Sequence, residues 1–248
     1  MPISKVIDWQ IESIRVTMFV NGSLNPNLLE TWLMDISTNS PLQVSKKPSS
    51  FEGISESAAG ILSTKWTANR LDVVLSSKEL IDGNSIASLS DATPLFTQYF
   101  DSIPEIGDLP LVDRIALGLK LFFEVSNETE GHEILSKSIV GLSIPKSAGD
   151  FLYRVNIPCE SHTIDGLKIN RLATWSVGQG KVVRVQIKPD GSQEEQTISE
   201  LPTAIRLELD INTNQTAKLG LHLDRSLLHE LQHIAMEVAS GGEAQMQK

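Results

Sequence analysis

Apolar residues recur at every second position in several stretches of this chain, the spacing of a half-buried antiparallel strand. The longest runs from Ile115 through Leu117, Leu119, Leu121 and Phe123 to Val125, with Arg114, Lys120 and Glu124 on the other face. Ile205, Leu207, Leu209 and Ile211 alternate with Arg206, Glu208 and Asp210, and Val183, Val185 and Ile187 with Arg184, Gln186 and Lys188. Ile14, Val16, Met18 and Val20 mark a first strand, and Leu71, Val73 and Leu75 a shorter one. Tyr153, Val155 and Ile157, then the stretch from Leu167 to Trp175, supply two more. Gly178-Gln179-Gly180 and Pro189-Asp190-Gly191 read as turns between strands. Neither has the further glycines and following helix of a phosphate loop.

Four segments have helical spacing instead. Asn25-Pro26 is a cap followed by a first-turn proline, and the helix it opens presents Leu29, Trp32, Leu33 and Ile36. A second helix begins near Asp91 and carries Leu95, Phe96, Tyr99 and Phe100. A third runs from about Glu128 to Ile139, and the last starts with Asp224 as cap and stops at Gly241-Gly242. Together these elements predict an α+β fold of mixed, largely antiparallel sheets with about four helices. Their order repeats: strand, helix, strands, helix before Pro104, and the same again after Pro110. One reading is two similar halves, 1–105 and 106–248, the second ending in a packing helix. The other is a single mixed sheet with helices on one face. Thr38 to Ser57 is Ser- and Pro-rich and reads as a surface excursion with room for one edge strand. Residues 241–248 read as a loose tail. Trp32, Trp66 and Trp175 are expected as core anchors, and Trp9, beside a charged leader, at the surface.

Composition narrows the function classes. The 248 residues are 40% hydrophobic and 21% charged, enough to bury a core without staples. Asp plus Glu total 31 against 21 for Lys plus Arg, a formal charge of −10. Phosphate neutralisation drives most nucleic-acid affinity, so direct nucleic-acid binding is not expected. Nor do aromatic and basic residues interleave into a base-stacking platform. A single cysteine, Cys159, forbids an intrachain disulfide and fits a reducing compartment. The start, MPISKVIDWQ, lacks the apolar region of a signal peptide, and no window reaches about 18 apolar residues. The expectation is a cytoplasmic protein with a protein partner or a second copy of itself, and no membrane role.

Several landmarks fall in a characteristic order: Ile11-Glu12, Asp113-Arg114-Ile115-Ala116-Leu117, Leu207-Glu208-Leu209-Asp210-Ile211, and Leu228-His229-Glu230-Leu231 near the end. In this the chain resembles a sporadically distributed family of uncharacterised bacterial proteins of similar length. The likeness spans most of the chain through short motifs, and that family's opening pair of prolines has no counterpart here. The resemblance implies a place in the mobile, defence-related part of bacterial genomes. It implies no catalytic residues.

One motif carries chemistry. His229-Glu230-Leu231-Gln232-His233 matches the zinc metallopeptidase pattern H-E-x-x-H. Two imidazoles four apart on a helix share one face and can bind one metal, and the intervening Glu230 can polarise a metal-bound water. The helix is well marked, since Leu227, Leu231, Ile234 and Val238 form one apolar stripe, with His229 and His233 roughly opposite. A catalytic zinc needs a third protein ligand. Glu237 lies in the same row as the histidines, Glu243 follows the helix, and only His222 or His162 remain to fold over. The first expectation is therefore a non-catalytic interaction or regulatory protein with no cofactor. The alternative is a zinc-dependent metallohydrolase using His229, His233 and Glu230. Cys159-Glu160-Ser161-His162 puts a thiol near an imidazole, but sequence neighbours rarely form a nucleophile–base pair. Asp210-Ile211-Asn212-Thr213-Asn214 starts like a calcium loop, then lacks its Gly and puts Leu221 at the twelfth position.

The charge balance generates a direct test. Gel-shift titration against duplex DNA or RNA at physiological salt is expected to show no binding. A micromolar affinity that falls steeply with salt contradicts this and reveals a basic patch hidden from the linear reading.

Overall fold

The computed structural model describes residues 7–37, 43–57, 59–78, 85–103, 109–145, 147–187, 193–214, 220, 222–223 and 225–247. The first part of the chain forms β1 (Gln10–Asn21), α1 (Pro26–Asp35), β2 (Gln43–Lys47), β3 (Ser50–Glu56), β4 (Ile61–Thr67), β5 (Arg70–Ser76) and α2 (Thr93–Ser102). The second forms β6 (Leu111–Glu124), α3 (Glu128–Ser138), β7 (Leu152–Asn156), β8 (Cys159–Glu160), β9 (Lys168–Ile187), β10 (Gln193–Thr213), α4 (Arg225–Gly241) and the short α5 (Glu243–Met246). The strands make one ten-stranded sheet in the order β2-β3-β4-β5-β1-β6-β10-β9-β7, with β8 also on β9. Every pairing among the described residues is antiparallel. The fold is α+β. The sheet passes without a break from β1 to β6, which pair from Gln10↔Phe122 to Asn21↔Leu111.

The alternation along each strand decides which face meets the helices. One ladder row runs Gly53–Thr64–Val73–Val16–Leu117–Ile211 across six strands. Val73, Val16, Leu117 and Ile211 in that row are fully buried. α1 reaches this face where Leu33 crowds the missing side chain of Gly53, and α3 where Gly131 touches Val177 and Ile205. α2 is anchored there by Tyr99, whose hydroxyl donates to the Val73 carbonyl at 2.7 Å. α4 packs on β6 and β10. The next row on the other face reads Val74–Arg15–Gly118–Asp210–Leu172, and no helix among the described residues covers it.

Four expectations need correction. The stretch 43–56 forms two strands, not one edge strand. β3 buries Phe51 against the helices because its odd residues fall in register with Trp66 and Leu71. Gly178-Gln179-Gly180 is not a turn but lies inside β9, where Gly178 pairs with Ala204. Glycine serves packing at 180: a side chain there would meet Arg206 and Leu201. Trp9 is not exposed. It is 1% accessible, and its indole N–H donates to the Ala239 carbonyl at 2.8 Å, tying the start of the chain to α4. The segment after Gly241 is docked, not loose. Gly242 adopts φ +64°, a left-handed turn that favours glycine, and a Cβ there would lie 2.3 Å from the Ser138 carbonyl oxygen. The turn lets Glu243 accept from the Val140 N–H and the Tyr153 hydroxyl, both at 3.0 Å. Arg171 then caps the carbonyls of Gln245 and Met246. The Asp224 cap, the Pro189-Asp190-Gly191 turn and residues 104–108 of the proposed joint lie outside the described residues.

Leu119 sits in β6 at 1% exposure, between β1 and β10. Leu119→Asp should leave no folded protein, since a buried unpaired charge costs several kcal/mol, comparable to a domain's whole stability. A soluble variant with unchanged melting temperature contradicts the placement.

Candidate functional site

α4 forms because its apolar residues repeat at helical spacing. Leu227, Leu231, Ile234 and Val238 are buried, and Leu228, Ala235 and Ala239 widen the stripe. The His-Glu-Leu-Gln-His motif lies on the flank of this helix, and its two histidines and Glu230 turn to separate partners. The His229 ring stands edge-on to Phe100, centroids 6.2 Å apart. Its Nδ1 lies 3.2 Å from Gln232 Oε1, and its Nε2 3.6 Å from Asp101 Oδ1 on α2. His233 points into solvent, its side chain 74% exposed, with Nδ1 3.7 Å from Glu237 Oε2.

Glu230 turns to the loop between β8 and β9. Its Oε2 accepts from the Ser161 hydroxyl at 2.7 Å, and its Oε1 accepts from the His162 N–H. Ser161 Oγ in turn accepts from the N–H groups of Thr163 and Ile164, at 3.1 and 3.0 Å. Partial burial pushes the Glu230 carboxyl up, but the hydrogen bonds from Ser161, His162 and Thr163 outweigh it and hold the group below its ordinary value. A metallopeptidase base needs a free carboxylate oxygen aimed at metal-bound water, with a pKa raised toward neutrality. Glu230 has its oxygens committed and its pKa moved the other way. What it does here is clamp the loop 161–164 onto α4.

The remaining candidates are dispersed. Among the described residues, no group of three or more His, Cys, Asp or Glu side chains is placed to hold a metal ion. His222 and His162 are exposed, and Glu243 is spent on Val140 and Tyr153. Cys159 is half-buried, and burial pushes its thiol up against the pull of Arg171, the reverse of nucleophile activation. Asp210 accepts from Asn212 Nδ2 at 2.9 Å.

The second feature is a groove on the uncovered sheet face, with a volume of about 510 Å³. It crosses β5, β1, β6, β10, β9 and β7, and its charged walls are Arg15, Lys120, Arg154, Glu208 and Asp210. Strand alternation marks all five as outward-facing, but only the ladder order shows that they stand side by side. Sequence reasoning therefore missed the groove. It missed the Ser161–Glu230 clamp as well, whose partners are 69 residues apart. No helix of the described residues is long and apolar enough to cross a membrane. Neither protein-family models nor curated protein sequences give a match to this chain.

The clamp is testable by pH. A carboxyl whose folded pKa lies below its unfolded value stabilises fully above the unfolded pKa, and that stability is lost as pH falls through the folded one. Glu230→Gln should cost about 1–3 kcal/mol near neutral pH. The deficit relative to the parent should shrink as pH drops through the carboxylate range. His229→Ala with His233→Ala should move stability by less than about 0.5 kcal/mol. Urea melts between acid and neutral pH check both, and a deficit for Glu230→Gln that does not change with pH contradicts the clamp.

Proposed function

We propose that this chain is a non-catalytic interaction or regulatory protein of a bacterial multi-component, defence-related system. It works by presenting a sheet edge and the open sheet face to a protein partner or a second copy. The observation that carries this reading is the one-sided covering of the sheet: helices bury one face, and the other keeps a charged groove in the open. The edge strand β7 supports it. Among the described residues this strand pairs with β9 alone, and it carries Leu152 at 65% exposure, beside the groove. A free strand edge with an exposed apolar side chain is a template for strand addition or face docking. The commitment of Glu230 to Ser161 and His162 supports the non-catalytic half of the proposal.

In-cell crosslinking followed by purification, with metal analysis of the purified protein, tests the proposal. The expected result is a discrete crosslinked partner or dimer that is lost on Leu152→Glu, in protein holding well under one equivalent of zinc. Near-stoichiometric zinc that disappears in the His229→Ala, His233→Ala variant together with a hydrolytic activity contradicts it.

A further inference from the structure

The cations on the open face divide into two groups. Arg70 is paired with Asp72 at 2.7 Å and Arg206 with Glu12 at 3.2 Å. Arg15, Lys120 and Arg154, which line the groove, have no ion pair or side-chain hydrogen bond among the described residues. Arg15 faces Gly118 across the β1–β6 ladder, and Lys120 follows two residues along β6. They are diagonal neighbours on one face, about 7–8 Å apart. The guanidinium of Arg15 lies along the groove floor over Gly118, where a Cβ would come 3.4 Å from both Nε and Nη2. Glu208 stands directly across from Lys120, yet among the described residues no ion pair within 4 Å joins the two. Two adjacent like charges without a partner disfavour the fold slightly, and in a chain of net charge −10 their lack of a carboxylate does not come from scarcity.

We propose that the groove docks an extended segment of a protein partner, held by an acidic side chain on Arg15 and Lys120. The proposal rests on the interaction reading above and names the chemistry of its partner. A guanidinium fork meets a carboxylate with two parallel hydrogen bonds, and the neighbouring ammonium adds a third. Glu208 and Asp210, next along the groove, accept from main-chain N–H groups or a basic side chain of the same segment. Val74, Leu172 and Leu152 offer apolar contacts along the way. From β5 to β7 the groove spans five strand spacings, about 24 Å, which is the reach of about seven extended residues. A volume of about 510 Å³ is in the range of ligand sites, and the groove is open on the sheet surface, so a chain can lie along it.

Fluorescence anisotropy with a labelled octaglutamate peptide, and octalysine for comparison, tests the site on the full chain. Octaglutamate should bind the parent protein and octalysine more weakly. Arg15→Glu with Lys120→Glu should weaken octaglutamate at least tenfold. Lys47→Glu with Lys65→Glu makes the same charge change on strands outside the groove and should weaken it less than twofold. The milder Arg15→Gln with Lys120→Gln covers the case in which the first pair does not fold, and circular dichroism melts report that. Equal losses for the groove and control pairs overturn the proposal, because they mean a general field effect. Binding of an oligonucleotide at physiological salt through the same residues also overturns it. If octaglutamate ignores the groove variants while the Leu152-dependent crosslink persists, the groove proposal falls and the interaction reading stands. If that crosslink is absent too, both fall.

Discussion

The antiparallel ladder between β1 and β6 sets the facing of the side chains in the middle of the sheet. Side chains in a strand alternate with period two, so a slip of one residue here would turn each row to the opposite face. The register Val16↔Leu117 puts Ile14, Val16 and Met18 with Ile115, Leu117 and Leu119 under the helices. The same register puts Arg15 beside Gly118 on the open side. One constraint thus builds both the core and the groove. It also joins the early and late parts of the chain into one core, which the Trp9 hydrogen bond to Ala239 closes from the ends.

Much of this was legible in the chain. The long strands, the four helices and the α4 stripe follow from periodicity, because burial on one face writes itself into alternate residues or residues three and four apart. What failed was local chemistry overridden by distant packing. Gly178 and Gly180 look like a turn, but β9 runs on through them: Gly178 pairs with Ala204 of β10, and the ladder only shifts register beside Gly180. Trp9 sits beside Asp8 and Gln10, and the carbonyl that takes its buried indole N–H belongs to α4, 230 residues away. The last residues are short and glycine-rich, yet a left-handed Gly242, the Glu243 carboxylate and the Arg171 fork dock them.

The motif at 229–233 shows how far a pattern of five residues can carry chemistry. Helix geometry does place His229 and His233 one turn apart. The fold then supplies each with a neighbour of its own, Asp101 and Gln232 for one and Glu237 for the other. Glu230 is drawn into the turn at Ser161, where a depressed pKa suits a structural acceptor. The groove on the open face has the opposite character: among the described residues, Arg15, Lys120 and Arg154 line it with no ion pair or side-chain hydrogen bond.

Native-state hydrogen exchange with increasing urea tests the central ladder most directly. The account predicts that amides in residues 14–18, 115–121 and 207–211 exchange only through global unfolding, with one common free energy and one common urea dependence. Exchange of the β1 amides at a lower free energy than those of β6 and β10 would contradict it, since the early and late parts of the chain would then open as separate units.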